Sequence, residues 1–217
     1  MENDDGVRVQ GSVQAVASCA AQVREADGQR VCSPDGKIDA EESLAVPGRV
    51  IAAVVCTGQS VTQADVDYLR GKCKVVVVSD AYKLAPWADV MVSHDRKWWE
   101  VNEDCDFPGP RYCAAYRELP ERYGTRRFYP AGGNSGCMGV LVAQKLFKPW
   151  RILLMGADLH GTHYFGPHTK PRLHNTTKAQ FLQMKRQYGK LSKLPVVNCS
   201  PISALTCFPK MALRDVL

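Results

Sequence analysis

Short apolar runs, each followed by polar residues and then by a helix-like segment, constrain the fold of this chain more than any other feature of its sequence. The run VIAAVVC (50–56) is rich in strand-forming residues, and VTQADVDYLR (61–70) after it has the spacing of an amphipathic helix. An apolar run without polar alternation is typical of a parallel strand that is buried on both faces. The alternation therefore predicts an α/β fold, with an open, mostly parallel, Rossmann-like sheet and helices on both faces.

The other predicted elements repeat this pattern and place polar residues at the strand ends. Further strands are predicted at 74–80, 89–95, 151–160 and 195–201, and further helices at 135–147 and 175–191. In open α/β sheets, ligands bind in the crevice beyond the carboxyl ends of the strands. We therefore expect one crevice to collect the polar strand ends, which are 57–60, Ser79-Asp80, Ser93-His94-Asp95, 158–160 and 198–200.

The distribution of charge divides the chain into two parts. Residues 1–45 carry nine acidic against four basic side chains, and the remainder carries a net charge of +11. A length of 217 residues leaves room for one domain with an extension. We predict an acidic N-terminal extension at 1–48, with a short helix at 12–26 and a loop, and a single domain at 49–217. A domain this basic favours nucleic acid, an anionic membrane surface or a phosphorylated substrate as its partner.

The nine cysteines do not have the spacing of a disulfide framework or of a structural zinc site. Their number is odd, and the sequence contains no CxxC or CxxH motif. Cys56, Cys137 and Cys199 lie in or beside apolar runs, where a reduced thiol packs as a small hydrophobic group, so we expect a cytoplasmic protein. The acidic start MENDD argues against a signal peptide, and the absence of 18 consecutive apolar residues argues against a membrane span.

Two glycine-containing loops are candidates for contact with an anionic ligand. TGQS (57–60) follows the first strand, so its backbone N–H groups can face a phosphate at the positive end of the next helix. The alternative is a plain turn in which Ser60 caps that helix. In GGNSG (132–136), the glycines permit either close approach of a ligand or tight packing. The sequence has neither GxGxxG nor a P-loop motif, which disfavours a standard dinucleotide site or P-loop.

A second candidate feature is the concentration of histidines after the fourth predicted strand. Imidazoles can act as general bases near neutral pH, and with Asp158 and Tyr164 nearby they can also hold a phosphate. A metal site is one alternative, since H-x-x-H places two imidazoles close together, although HExxH is absent. Solvated loop histidines are the other alternative. Four of the five histidines lie in this stretch of fifteen residues, namely His160, His163, His168 and His174.

The order of these motifs resembles that of a known superfamily. A glycine loop after the first strand, NSG before a helix, and LMGAD before a stretch rich in His and Tyr are similar to the bacterial sialyltransferase fold. Motility-associated glycosyltransferases and MptE-like pterin diphosphokinases share this layout. Phage-encoded members resemble the chain most closely, in SDAYKLAPWADV, HDRKWW, HYFGPH and NCSPISALTCFP. The resemblance covers 49–217 and leaves out 1–48.

The resemblance implies a donor site in which a nucleotide-sugar lies across the carboxyl end of the sheet and no metal is required. The loop after the first strand is expected to contact the nucleotide phosphates, and Asp80 stands where the family has an Asn. The NSG segment is expected to line the base and ribose, and two serines near the last strand to close the pocket floor. The residues implied at the donor are Thr57, Gly58, Ser60, Asp80, Asn134, Ser135, Gly136, Ser200 and Ser203.

The resemblance also implies catalytic roles after the fourth strand. The family base precedes an N-T helix start, which is matched here by 175–176 and points to His174, with His168 as the alternative. His160 stands where one phosphate-binding Tyr is expected, and Tyr164 is expected to keep the role of another. Asp158 belongs to the L-x-G-x-D motif and is grouped with these residues.

These implications add up to a metal-independent glycosyltransferase with a nucleotide-sugar as substrate and no cofactor. It is expected in the cytoplasm, which is that of the bacterial host if a phage encodes the chain. The charge of the domain adds an expected acceptor, hydroxymethylated pyrimidine in phage DNA. Two alternatives stay open, an MptE-like, Mg²⁺-dependent diphosphokinase and a non-catalytic module that binds nucleotides or nucleic acid.

Overall fold

A computed structural model of the chain describes residues 49–114 and 116–217, which form an α/β structure around one parallel sheet. The strands are β1 (Ile51–Val55), β2 (Lys74–Val78), β3 (Val90–Ser93), β4 (Arg111–Cys113), β5 (Arg126–Arg127), β6 (Arg151–Met155) and β7 (Val196–Asn198). The sheet order is β5-β4-β3-β2-β1-β6-β7, and every neighbouring pair is parallel. The predicted extension at 1–48, with its helix at 12–26, lies outside the described residues.

Helices cover both faces of the sheet, as the alternating pattern predicts. They are α1 (Gln63–Leu69), α2 (Arg96–Val101), α3 (Leu119–Tyr123), α4 (Ser135–Phe147) and α5 (Lys178–Gly189), with 3₁₀ turns at Ser79–Lys83 and Leu213–Asp215. The predicted Rossmann-like α/β fold is confirmed. The sequence pattern does not predict β4, β5, α2 or α3, which are all short.

The central strands are buried on both faces, and this is why their sequences lack polar alternation. In β1, Ala52, Ala53, Val54 and Val55 are all 0% exposed. Successive residues of a strand point to opposite faces. One face packs in a core cluster with α1 and α2, and the other packs in a second cluster with α4 and α5. Two cores of this kind require helices above and below the sheet.

The connections of the sheet reverse direction between β1 and β6. The chain moves outward from β1 through β2, β3 and β4 to β5, and then returns to form β6 on the other side of β1. The loops after β1 and β6 therefore leave a crevice between them, which is where ligands bind in doubly wound sheets. This topology places the switch point beside the loops at 56–62 and 156–177.

Helix α4 begins at this crevice, where an N-cap residue caps its first turn and a glycine lets the helix pack closely on the sheet. The Asn134 side chain accepts a hydrogen bond from the Cys137 backbone N–H at 2.9 Å, as an N-cap residue does. Further along the helix, a Cβ at Gly139 would lie 2.8 Å from Cγ1 of Val54, so the glycine allows the helix axis to approach β1 closely. The start of α4 is thereby fixed over the carboxyl end of the sheet.

Two further features of the described part concern its thiols and its helices. The seven cysteines between residues 49 and 217 are all free thiols. None of the helices in 49–114 and 116–217 has the length and apolar character needed to cross a membrane.

Candidate functional site

A cavity of about 330 Å³ lies at the switch point, beyond the carboxyl ends of β1, β2, β3 and β6. We refer to it as the switch-point cavity. The start of α4 forms one side of it, and the histidine-rich loop after β6 forms another. Of the fourteen residues predicted to form a site, ten line this cavity, namely Thr57, Gly58, Asp80, Asn134, Ser135, Gly136, Asp158, His160, His168 and His174.

Asp158 joins the loop after β6 to the loop after β1. Its carboxylate is 2% exposed, and it accepts hydrogen bonds from the Ser60 backbone N–H at 2.8 Å and from the Ser60 hydroxyl at 2.5 Å. A Cβ at Gly58 would lie 2.4 Å from the carbonyl oxygen of Gly156 and 2.6 Å from Oδ2 of Asp158. Both carboxylate oxygens are thus engaged within the protein, so Asp158 holds the two loops together and is a positioning residue.

The histidine-rich loop is also tied to β1 through Thr57. His163 pairs with Gly58 in an antiparallel bridge, and the Tyr164 backbone N–H donates to the Thr57 carbonyl at 2.8 Å. The Thr57 hydroxyl lies 2.8 Å from Nδ1 of His163. These contacts join the loop to the end of β1, where it extends the wall of the crevice.

Aromatic rings and imidazoles stack together in this loop. The His163 ring is parallel to the Phe165 ring at 4.9 Å and lies 4.4 Å from the His168 ring, between centroids. Burial lowers the pKa of His168 below the ordinary value for histidine, although the carboxylates of Asp80 and Asp95 oppose that shift. Burial, and the charge that His168 carries when protonated, also lower the pKa of His163. Both imidazoles are therefore mostly neutral at pH 7 and can accept protons.

Asp80 is fixed beneath this loop as a carboxylate. Burial alone would raise the pKa of Asp80, but hydrogen bonds from the Lys83 ammonium at 2.6 Å and the Trp98 indole at 2.7 Å lower it overall. The Tyr164 hydroxyl donates to the Asp80 backbone carbonyl at 2.9 Å. Tyr164 does not line the switch-point cavity, where the resemblance implies a phosphate-binding role for it. Burial, and then the charge of Asp80, raise its pKa to about 12.

The segment NSG shapes the opposite wall. Nδ2 of Asn134 donates hydrogen bonds to Sγ of Cys137 and to Oε1 of Gln187 in α5. The Ser135 hydroxyl accepts a hydrogen bond from the His94 backbone N–H at 2.9 Å. Gly136 lies against Tyr188, with so little space that a Cβ would be 1.9 Å from the phenol oxygen. The first turn of α4 therefore has its backbone close to the cavity.

The two remaining predicted histidines differ in their surroundings. A nitrogen of His160, Nε2, lies 2.6 Å from the Ile202 carbonyl oxygen, which connects this loop to the segment after β7. His174 lines the cavity but has an exposed side chain. Of the two candidate bases, His168 is the more enclosed and lies in the histidine and aromatic cluster.

Three predicted serines do not line the switch-point cavity. Ser60 donates two hydrogen bonds to Asp158, as described above, and lines a second cavity. Ser200 lines the same second cavity, beside β7, and Ser203 bonds to the backbone, donating to the Ala157 carbonyl at 2.6 Å and accepting from the Leu205 N–H at 3.1 Å. Ser200 and Ser203, which the resemblance assigns to the floor of the donor pocket, therefore do not line the switch-point cavity.

The contrast between these two serines yields a stability prediction. Ser203→Ala is expected to lower the free energy of unfolding by about 1–2 kcal/mol, since it leaves the buried carbonyl of Ala157 without this donor. Ser200→Ala is expected to be neutral or slightly stabilising, because the Ser200 hydroxyl is buried with no partner. Urea denaturation of both variants measures the difference, and equal losses would contradict these roles.

A buried hydroxyl in the switch-point cavity has no partner in the protein. Thr162 lies in the histidine-rich loop and lines the cavity, and its Oγ1 is buried without a hydrogen bond. Buried polar atoms in native proteins are nearly always paired with protein, water or ligand. Thr162 therefore offers a hydrogen bond to a molecule in the cavity.

Several residues that line the cavity are absent from the fourteen predicted site residues, although the strand-end rule placed His94 at this crevice. His163, Thr162 and His94 all line the cavity, and Tyr188 reaches it from α5. The histidine cluster contains a signal for His163, but its bond to Thr57 joins residues 106 positions apart and depends on the fold. Nothing in the local sequence distinguishes Thr162 or Tyr188.

The site combines three chemical capacities. It has an unpaired hydroxyl at Thr162, the half-buried imidazoles of His163 and His168, and the carboxylates of Asp80 and Asp158, which are fixed by hydrogen bonds within the protein. Across residues 49–114 and 116–217, no group of three or more His, Cys, Asp or Glu side chains is placed to hold a metal ion. Comparison with protein-family models found no match, and comparison with curated proteins and with solved structures found none either.

Proposed function

We propose that this chain is a glycosyltransferase that binds a nucleotide-sugar in the switch-point cavity and uses no metal ion. The observation that carries the proposal is the meeting of Thr57-Gly58, the NSG segment and the histidine-rich loop at one crevice of a parallel sheet. Crevices of this kind are where doubly wound sheets bind nucleotides. The resemblance to the bacterial sialyltransferase fold supports the same class of donor.

The proposed reaction is a displacement at the anomeric carbon of the sugar. The acceptor oxygen forms a bond to that carbon, and the bond from the carbon to the phosphate oxygen breaks. The electron pair leaves with the nucleotide. In this proposal, donors of the cavity lining stabilise the charge that grows on the phosphate, and the unpaired hydroxyl of Thr162 is one of them. The backbone N–H groups of Gly58 and Ser60 already donate to Gly156 and Asp158, and Nε2 of His160 lies 2.6 Å from the Ile202 carbonyl oxygen.

His168 is our choice for the general base that removes the proton of the acceptor hydroxyl. Its imidazole lies in the cavity wall, and burial lowers its pKa, so it is mostly unprotonated at pH 7. An unprotonated imidazole is the form that a general base requires. His174, the alternative, is exposed and lacks this environment.

The surface beside the cavity favours an anionic acceptor. Helix α5 contributes Phe181, Met184 and Tyr188 to the cavity lining, and it carries the exposed bases Lys178 and Arg186. Nucleic acid is one acceptor of this charge class, and we propose hydroxymethylated pyrimidine in phage DNA. Binding that neutralises phosphates weakens as salt rises, so transfer to such DNA is expected to fall between 50 and about 200 mM salt.

A donor panel tests the proposed function. The full chain is incubated with UDP-, GDP-, ADP-, dTDP- and CMP-sugars, and free nucleotide is measured by chromatography. We expect slow hydrolysis of one donor, because water can replace the missing acceptor. The rate is expected to be the same in EDTA as in Mg²⁺.

The other functions give different results in the same assay. Activity that requires Mg²⁺ and releases AMP from ATP would favour the diphosphokinase. Saturable nucleotide binding without turnover of any donor would favour the non-catalytic module. Either result contradicts the proposed transfer reaction.

A further inference from the structure

A second cavity, of about 510 Å³, lies beside β7. It shares Gly156 with the switch-point cavity, and its lining includes Ser60, the partner of Asp158. We refer to it as the β7 cavity. Its walls come from the ends of β6 and β7, from the start of α1 and from the segment 210–214. Its volume is within the range of small-molecule sites, which is roughly 300–1,000 Å³.

Two residues of the β7 cavity carry buried polar atoms that have no partner. Ser200 and Asn198 are each 1% exposed, and neither the Ser200 hydroxyl nor Nδ2 of Asn198 makes a hydrogen bond in the protein. The orientation of the Asn198 amide is fixed, since its oxygen accepts from the Ser200 backbone N–H at 3.0 Å. Two neighbouring unpaired donors in a cavity wall are unusual, because buried polar groups are generally satisfied.

The charges and the remaining walls indicate what kind of molecule fits. The lining of this cavity contains two basic side chains, Lys210 and Arg214, and one carboxylate, that of Asp65. The Asp65 carboxylate accepts a hydrogen bond from the Thr62 hydroxyl at 2.7 Å. Most of the other walls are apolar, and they include Met155 and Met211. The cavity thus combines hydrogen-bond donors, a surplus of positive charge and apolar surface.

We propose that the β7 cavity binds a small organic anion, which is a carboxylate or phosphate ester with an apolar body. The anionic group accepts hydrogen bonds from the Ser200 hydroxyl and from Nδ2 of Asn198, and it lies on the side of the cavity that Lys210 and Arg214 line. The apolar body packs against the methionines. This site does not depend on the proposed glycosyl transfer, since it uses other side chains.

Methionine methyl groups distinguish binding here from binding at the switch-point cavity. Met155 and Met211 line the β7 cavity, whereas Met184 lines the switch-point cavity. The full chain is labelled with ¹³C-methyl methionine, the signals are assigned by single Met→Leu variants, and phenyl phosphate, benzoate or benzyl alcohol is added. We expect saturable shifts of Met155 and Met211 with at least one of the anions and none with the neutral alcohol.

Two variants complete this experiment. Ser200→Ala removes an unpaired hydroxyl and Arg214→Gln removes an exposed charge, so both are expected to fold and to weaken anion binding about tenfold. The relative effects of phenyl phosphate and benzoate identify which anionic group is preferred. The proposal is overturned if only Met184 shifts, if benzyl alcohol shifts the same signals equally, or if both variants bind as the wild type does.

Discussion

His168→Ala is expected to reduce kcat for the donor identified in the panel by about 10²- to 10⁴-fold, which is the range of a lost general base. The imidazole lies in the cavity wall beside His163, and no other predicted base is enclosed in the same way. Steady-state kinetics with donor and acceptor measure the loss. Thermal unfolding of the variant checks that the fold is retained.

The pH dependence separates a base from a residue that only packs. A base works unprotonated, so the rate is expected to fall as pH drops through the pKa of His168. Burial lowers that pKa, so the fall is expected below the ordinary range for histidine. This acidic limb should disappear in His168→Ala and persist in His174→Ala, with a much smaller loss of rate. A large loss of rate in His174→Ala together with a normal rate in His168→Ala would show that His174, and not His168, is the base.

Gly136→Ala is expected to lower the free energy of unfolding by about 3 kcal/mol, near the upper end for a core residue that is too large. The added methyl group would lie 1.9 Å from the Tyr188 hydroxyl and 3.2 Å from Sγ of Cys56. Tyr188 is 2% exposed and packs near Phe208, so it has little room to move. Donor binding is expected to weaken as well, because Tyr188 lines the switch-point cavity.

Gly189→Ala is the matched control for that substitution. Gly189 follows Tyr188 at the end of α5, and a Cβ there would meet no atom within 4 Å. Replacing a helical glycine by alanine is expected to leave stability unchanged or to raise it by about 0.5 kcal/mol. Urea denaturation of the two variants tests the comparison, and similar losses would show that contact with Tyr188 does not explain the Gly136 effect.

The fold could be predicted where hydrophobic patterning is strong. Strands β1, β2 and β6 each contain four consecutive buried apolar residues, and α4 lies at the predicted positions, Ser135–Phe147. Strands β4 and β5 could not be predicted, because β4 has three residues and β5 has two, and neither contains an apolar run.

The sequence predicted where the candidate site lies, but it did not predict most of the contacts between the residues of the site. The rule for strand ends indicates the crevice, and it places Thr57, Asp80 and Asp158 there. It does not show that the carboxylate of Asp158 is occupied by Ser60, which lies 98 positions away in sequence. The positions of Ser200 and Ser203 depend on how the segment after β7 turns, and a motif resemblance does not specify that turn.

The shortness of the outer strands has a consequence for how the protein behaves at high concentration. Exposed sheet edges can pair with another chain and cause aggregation, and long apolar edges do so most readily. Here the longest strands, β1, β2 and β6, lie inside the sheet, and the margin formed by β5 carries two exposed arginines, Arg126 and Arg127. Like charges at that margin repel a second copy, so intermolecular strand pairing is disfavoured there.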